Sequence, residues 1–179
     1  LTILLENNQI EEAKEYLARF SHELGGKYIT VATGSPVLDA LISDKQSEIK
    51  SRNITIDFSG ILPYNAIETL DLCVVFGNAL DNAIEACYKL PESEPKTISI
   101  SVRQNKNLLL VSISNPVESK VVVKNNTVRT TKKDSANHGI GIYSIKNTVK
   151  KYDGFCEMKC VDKVFTLDLG FFIAEKIKE

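Results

Sequence analysis

The chain has 179 residues, a net charge of −1, 43% hydrophobic and 25% charged residues. These are the proportions of an ordinary soluble globule with room for one good core, or for a core plus a helical appendage. The charge offers no field for nucleic acid, no dense Lys/Arg run suits a membrane surface, and no apolar stretch approaches the ~20 residues of a spanning helix. No signal peptide is visible, and Leu1 stands where a methionine would begin an intact chain. The sequence therefore reads as a cut fragment from which a membrane anchor could have been removed.

In chain order, Ile10, Ala13, Leu17, Phe20 and Leu24 step by threes and fours until Gly25-Gly26 ends the helix. Such a stripe, with no partner in so short a segment, is expected to pair with a second chain. Ser35-Pro36 supplies a capping hydroxyl and a proline at the first helical position, predicting a helix to about Lys50. Ile54, Ile56 and Phe58 alternate as in a strand. A long helix is expected from about Asp71 to Lys89, with Leu72, Phe76, Ala79, Leu80, Ala83 and Cys87 as its apolar stripe. Ile98, Ile100 and Val102, a turn at 104–107, and Leu109, Val111 and Ile113 form a hairpin with one apolar face. Continuing that parity places Asn115 inward at the strand end. Pro116 to Asn137 is polar and lacks clear periodicity, so a functional or mobile loop is expected there. A helix from about Ile140 to Tyr152 and two strands, Phe155 to Val161 and Val164 to Leu169, complete the chain. The order implies an α+β two-layer sandwich, with helices on one face of a mixed, mostly antiparallel sheet.

Cys73, Cys87, Cys156 and Cys160 show no C-x-x-C spacing, and the only histidines are His22 and His138. A zinc site is not expected; the four read as buried, reduced thiols of a cytosolic protein.

The long helix carries the chemistry. Asparagine is disfavoured in helices by roughly 0.6 kcal/mol relative to alanine. Asn78 and Asn82 nevertheless lie one turn apart on the same face, beside the apolar stripe together with Asp81 and Glu85. Their amides can ligate a hard cation through oxygen or hydrogen-bond a ligand. Alone, the pair could be a solvated helix face. Further on, His138-Gly139-Ile140-Gly141-Ile142 opens a helix whose exposed N–H groups suit phosphate. Together the two segments suggest a Mg-nucleotide held between two helices. A dinucleotide fingerprint is rejected, because Ser144 stands at its third glycine and a polar loop replaces the strand before it.

Asn78-Ala-Leu-Asp-Asn-Ala-Ile-Glu-Ala86 resembles the asparagine box of the GHKL ATP-binding superfamily of gyrases, heat-shock chaperones, histidine kinases and mismatch-repair ATPases. His138 to Gly154 resembles its second glycine box and the helix behind it. Gly34-Ser-Pro-Val-Leu-Asp39, with Lys45 and Ile54 downstream, is similar to the lead-in of the Agr/VirS-type peptide-sensing histidine kinases. Leu1 to Phe20 looks like the end of their dimerisation hairpin. The resemblance implies the Bergerat fold over residues 27–179 after a hairpin remnant over 1–26, and ATP and Mg²⁺ as cofactors. It implies Asn82 as the magnesium ligand and Asn78 at the position where ATPases of the superfamily keep a water-activating glutamate. An amide is no base, which favours transfer to a protein acceptor over hydrolysis. Gly139 and Gly141 would let backbone approach phosphate, flanked by His138, Ile140 and Ile142, with Lys132 and Lys133 as charge partners.

Two departures stand out. Ser114-Asn115-Pro116 replaces the superfamily's Asp-x-Gly-x-Gly, so Asn115 would accept from the adenine amino group while bringing a donor of its own. Glu85 and Ala86 replace the lysine and tyrosine of larger histidine kinases. Phe20-Ser-His22-Glu-Leu24 matches the start of a phosphoacceptor box, but Gly25-Gly26 then ends the helix, so His22 is not expected to be the acceptor. The expectation is the cytoplasmic catalytic domain of a sensor histidine kinase. It would be a homodimer through the helical hairpin, with a response regulator as partner and membrane contact only through a missing N-terminal sensor region. The rivals are an anti-sigma-factor serine kinase or other GHKL ATPase, and a degenerate module that handles nucleotide poorly.

Overall fold

In a computed structural model of the chain, the structure describes residues 32–119, 121, 123–124, 127–128 and 140–173. All of them lie in the second of two compact units, Val31–Glu179. The expected N-terminal hairpin, its stripe and His22 lie outside the described residues, as do Lys132, Lys133, His138 and Gly139.

Helix α1 spans Pro36–Ile49, with the Ser35 side chain accepting from the Leu38 amide. Its lead-in is tightly organised. Thr33 is fully buried, and its amide and hydroxyl both donate to Asp39 Oδ1, at 2.8 and 2.6 Å. Gly34 takes φ 89°, where a Cβ would sit 2.6 Å from the Leu62 carbonyl oxygen. The Gly-Ser-Pro-x-x-Asp pattern is thus a helix start whose aspartate fastens the preceding strand of chain.

A 3₁₀ turn leads from α1 into β1 (Ile54–Ser59), followed by α2 (Thr69–Tyr88), β2 (Lys96–Asn105) and β3 (Leu108–Pro116). After these come β4 (Val123–Lys124), β5 (Thr127–Val128), α3 (Ile140–Lys150), β6 (Phe155–Val161) and β7 (Val164–Phe172). Five strands form one sheet in the order β1-β2-β3-β7-β6. Only β1 and β2 are parallel, as the α2 crossover between them requires. β2–β3, β3–β7 and β6–β7 are antiparallel. The expected fold class is the observed one.

Period-2 burial explains the layers. Ile98, Ile100, Val102, Leu109, Val111, Ile113, Leu167, Leu169 and Phe171 form the inner face, joined by Met158 from the outer strand. Leu72, Val75, Phe76, Ala79, Leu80, Ala83, Ile84 and Cys87 of α2 and Ile145 and Val149 of α3 cover them. At ~25 cal/mol per Å² of apolar surface, burial of this layer is the main force holding helices to sheet. Tight turns fix the register: Asp162 and Lys163 both adopt positive φ, 48° and 60°, as a two-residue hairpin between Val161 and Val164 requires. Phe155 lies over Gly170, where a Cβ would collide with its ring.

Three expectations need correction. β3 runs on to Pro116, and a short β4–β5 ladder interrupts the segment read as a loop. Inter-strand pairing there does not depend on apolar alternation, so periodicity gave no sign of it. β7 continues to Phe172 instead of stopping at Leu169. Cys73 is exposed, Cys156 and Cys160 are half-buried, and only Cys87 is fully buried. Burial pushes the Cys87 thiol up to about 11, which keeps it protonated and inert.

Candidate functional site

The edge of α2's apolar stripe carries Asn78 and Asn82, both half-buried, with Asp81 exposed. Asp81 is engaged away from the pair: Lys45 of α1 reaches its carboxylate at 2.6 Å and Glu48 at 3.1 Å. The hydrogen bond to Asp81 is the main reason the Lys45 pKa is raised. Glu85 pairs with Lys89 one turn on, at 3.6 Å. The two asparagine amides lie beside Gly141 of α3.

Their orientation is specific. Asn78 Nδ2 donates to the Val74 carbonyl at 2.6 Å, a back-bond to the preceding turn that points Oδ1 the other way. That oxygen is turned toward Gly141. A Cβ added at Gly141 would stand 3.0 Å from Asn78 Oδ1 and 3.5 Å from Asn82 Nδ2. A side chain here would press on the Asn78 amide, which would have to give by a few tenths of an ångström. The structure thus joins the asparagine pair to the first turn of α3, from which residues 83–139 separate Asn82 along the chain. Ile140 is exposed and Ile142 half-buried in that same turn.

One atom at this junction lacks a partner. Asn82 Nδ2 is buried with no hydrogen bond, and such a donor costs about 1–3 kcal/mol unless a ligand satisfies it. The donor set also constrains any metal. Among the described residues no cluster of three or more His, Cys, Asp or Glu is placed to hold an ion. Neutral amide oxygens suit a hard cation that brings most of its ligands with it, as Mg²⁺ does with nucleotide phosphates and water. The residues present fit that ion.

Asn115, next to last in β3, lies on the inner face, 4% exposed, where parity had placed it. Its Nδ2 donates to the Pro116 carbonyl at 2.9 Å. One of its two N–H donors is thereby used, which fixes the orientation of the amide and of its acceptor Oδ1.

Sequence reasoning missed a second polar cluster at the far end of the same two helices. Asp71 is 4% exposed, with Lys151 Nζ 2.6 Å from Oδ1 and the Tyr152 hydroxyl donating to Oδ2 at 2.8 Å. Burial works against its charge, but these two hydrogen bonds outweigh it and hold the pKa below the ordinary carboxylate range. An aspartate in a helix's first turn reads from sequence as a dipole partner. Nothing local points to residues 80 positions away.

Residues 67–171 match the family described as GHKL domain; the chain belongs to that family. Among solved structures, the Acinetobacter baumannii histidine kinase AdeS aligns over 78% of this chain with a TM-score of 0.57 and 11% identity. This chain spans 64% of that one. The catalytic domain of histidine kinase ThkA, in a nucleotide-free crystal form, aligns with a TM-score of 0.57 and 16% identity, over 78% of this chain and 95% of its own. A second nucleotide-free form of ThkA gives 0.57 and 18%, over 75% and 92%. No curated protein matches in sequence. At these identities the likeness is one of fold: a five-stranded mixed sheet with helices on one face.

Proposed function

We propose that residues 27–179 bind Mg-ATP at the junction of α2 and α3 and serve as the catalytic domain of a sensor histidine kinase of the Agr/VirS type. The observation that carries this reading is Gly141 lying against Asn78 and Asn82, beside a buried amide that lacks a partner. Family membership supports ATP as the ligand, and the AdeS and ThkA likenesses favour a kinase over the other branches.

Each residue has a role in this reading. Asn82 Oδ1 would ligate Mg²⁺, leaving Nδ2 to donate to a phosphate oxygen. Asn78 would orient water through Oδ1, and as an amide it could not deprotonate that water for hydrolysis. The first-turn amides of α3 would face the phosphates, helped by Gly139, His138, Lys132 and Lys133. Asn115 Oδ1 would accept from the adenine amino group. Bound Mg²⁺ would neutralise charge on the phosphates. The reaction would be attack of a histidine ring nitrogen on the γ-phosphorus, with the bond to the bridging oxygen breaking and ADP leaving. The acceptor would be a histidine of the dimerisation helices other than His22, and the phosphoryl group would pass on to a response-regulator aspartate. Catalysis by the domain would consist of positioning and charge neutralisation.

Titration with ATP, with and without Mg²⁺, tests the binding. Saturable binding that EDTA weakens at least tenfold is expected; no binding, or binding indifferent to EDTA, overturns the reading. For the transfer step, labelled ATP should leave His22 unmodified and should label a longer chain carrying the preceding helix. Acid-labile label on His22 would instead make Phe20 to Leu24 the acceptor box.

A further inference from the structure

The nucleotide site is formed by two helices that meet at two points. Near one point, Asn78 and Asn82 of α2 meet Gly141 at the start of α3. At the other, Asp71 in the first turn of α2 meets Lys151 and Tyr152 just beyond the end of α3. Contacts thus run in opposite senses along the two helices, and hydrogen bonds fasten the distal end of α3. Asp71 lies seven residues before Asn78, roughly 10 Å along the helix axis, too far to touch a ligand held between Asn82 and Gly141.

We infer that Asp71, through Tyr152, is a positioning residue for the nucleotide site: it fixes the pose of α3, and so the gap between Gly141 and the asparagine pair. This role rests on the nucleotide reading given above. The Tyr152 hydroxyl does two jobs. It donates to Asp71 at 2.8 Å and accepts from the Glu68 amide at 3.0 Å, so it clasps the N-terminus of α2 itself. The rest of Tyr152 is anchored to the sheet: its ring meets Phe171 edge-on at 5.6 Å between centroids, and its carbonyl accepts from the Phe172 amide at 3.1 Å. A nearly inaccessible carboxylate is unfavourable unless paired and hydrogen-bonded, and here each oxygen has a donor. The result is one link from α2 through the turn after α3 to β7.

At the other end of α3, the gap over the asparagines is the space that Gly141 leaves by lacking a side chain. With only 3.0 Å between a hypothetical Gly141 Cβ and Asn78 Oδ1, a tilt of α3 by a few tenths of an ångström changes the space open to phosphate. Loss of the distal clasp lets α3 pivot on its Ile145 and Val149 packing, which is apolar and non-directional. Phosphate recognition is then weakened, while adenine recognition at Asn115 on β3 is not.

Tyr152→Phe keeps the ring and removes only the hydroxyl; Asp71→Asn keeps the volume and removes the charge. Each variant is compared with the wild-type chain in its affinity for Mg-ATP, its affinity for adenosine, and amide exchange at residues 140–143. The expected result is about tenfold weaker Mg-ATP binding, adenosine binding within twofold, and faster exchange at 140–143. Unchanged Mg-ATP affinity and exchange in Tyr152→Phe would overturn the proposal, as would equal weakening of Mg-ATP and adenosine, the mark of a merely structural role. A wild-type chain that binds adenosine but no Mg-ATP would overturn the phosphate-site reading and this role together.

Discussion

Two polar surfaces of this domain look alike in sequence and differ in how their polar groups are satisfied. The open face of the sheet is rich in serine, with Ser59, Ser99, Ser101, Ser112 and Ser114 around a shallow depression beside Asp57. Two of its serines, Ser59 and Ser112, are hydrogen-bonded within the domain. Ser112 donates to Asp168 at 2.6 Å, Lys159 reaches the other oxygen of that carboxylate at 2.7 Å, and Ser59 donates to the Ile100 carbonyl at 3.3 Å. At the α2–α3 junction the reverse holds: a buried amide nitrogen has no partner and a glycine leaves space over it. Polar residues alone do not mark a site. Polar groups held in place by packing, with their bonding capacity unspent, do.

The largest effect expected from this contrast follows removal of Asn82. Asn82→Ala should weaken Mg-ATP about 100-fold or more, since a direct ligand matters at least as much as the 10- to 100-fold typical of groups behind one. The same change removes an unsatisfied buried donor and a poor helix former, so melting temperature should hold or rise. Binding that survives in a stable Asn82→Ala protein would make the junction no more a site than the sheet face. Next in size, Gly141→Ala should weaken Mg-ATP roughly tenfold. Its Cβ would press Asn78 Oδ1 at 3.0 Å, although alanine favours a helix by up to about 1 kcal/mol. Calorimetry and thermal melting on the same samples would separate the two effects.

Much of this was legible beforehand because it rests on local pattern. The α2 stripe, the β2–β3 hairpin and the inward parity of Asn115 follow from periods of 3.6 and 2, which burial reproduces residue by residue. The pairing of Asn82 with Gly141 was suggested by the chemistry of the two segments, amides for a cation and exposed N–H groups for phosphate, and supported by the family resemblance, since spacing alone cannot say that two segments meet. Asp71 was not legible at all. Its meaning lies in Tyr152, 81 residues away, and its position in a first helical turn offered an adequate local reading. Glu85 and Asp81 were seen beside the asparagines, but their engagement by Lys89 and Lys45 was not, because ion pairing depends on which helix lies alongside.

A smaller effect is expected at Asn115, where the site passes from helix to sheet. With Nδ2 held by the Pro116 carbonyl, Oδ1 accepts from a 6-amino group but meets the 6-oxo group of inosine unfavourably. Asn115→Ala should therefore lower the preference for ATP over ITP by about fivefold, the equivalent of one hydrogen bond of about 1 kcal/mol. An unchanged ratio of the two affinities would move adenine recognition elsewhere.

The smallest effect on nucleotide belongs to the sheet face, and it tests the contrast from the other side. Ser112 is half-buried and lies on the outer face opposite Asp168 in the β3–β7 register. Ser112→Ala removes one hydrogen bond from a carboxylate that keeps Lys159 as a partner, so stability should fall by only about 1 kcal/mol. Neighbouring Val111 and Ile113 still face α2 through the inner layer, so α2, which carries both asparagines, should not move. Mg-ATP affinity should stay within about twofold, the tolerance expected when no shared partner couples distant sites. A tenfold loss in Ser112→Ala would mean that the sheet carries strain from its open face into the helix layer, and that the satisfied surface takes part in binding after all.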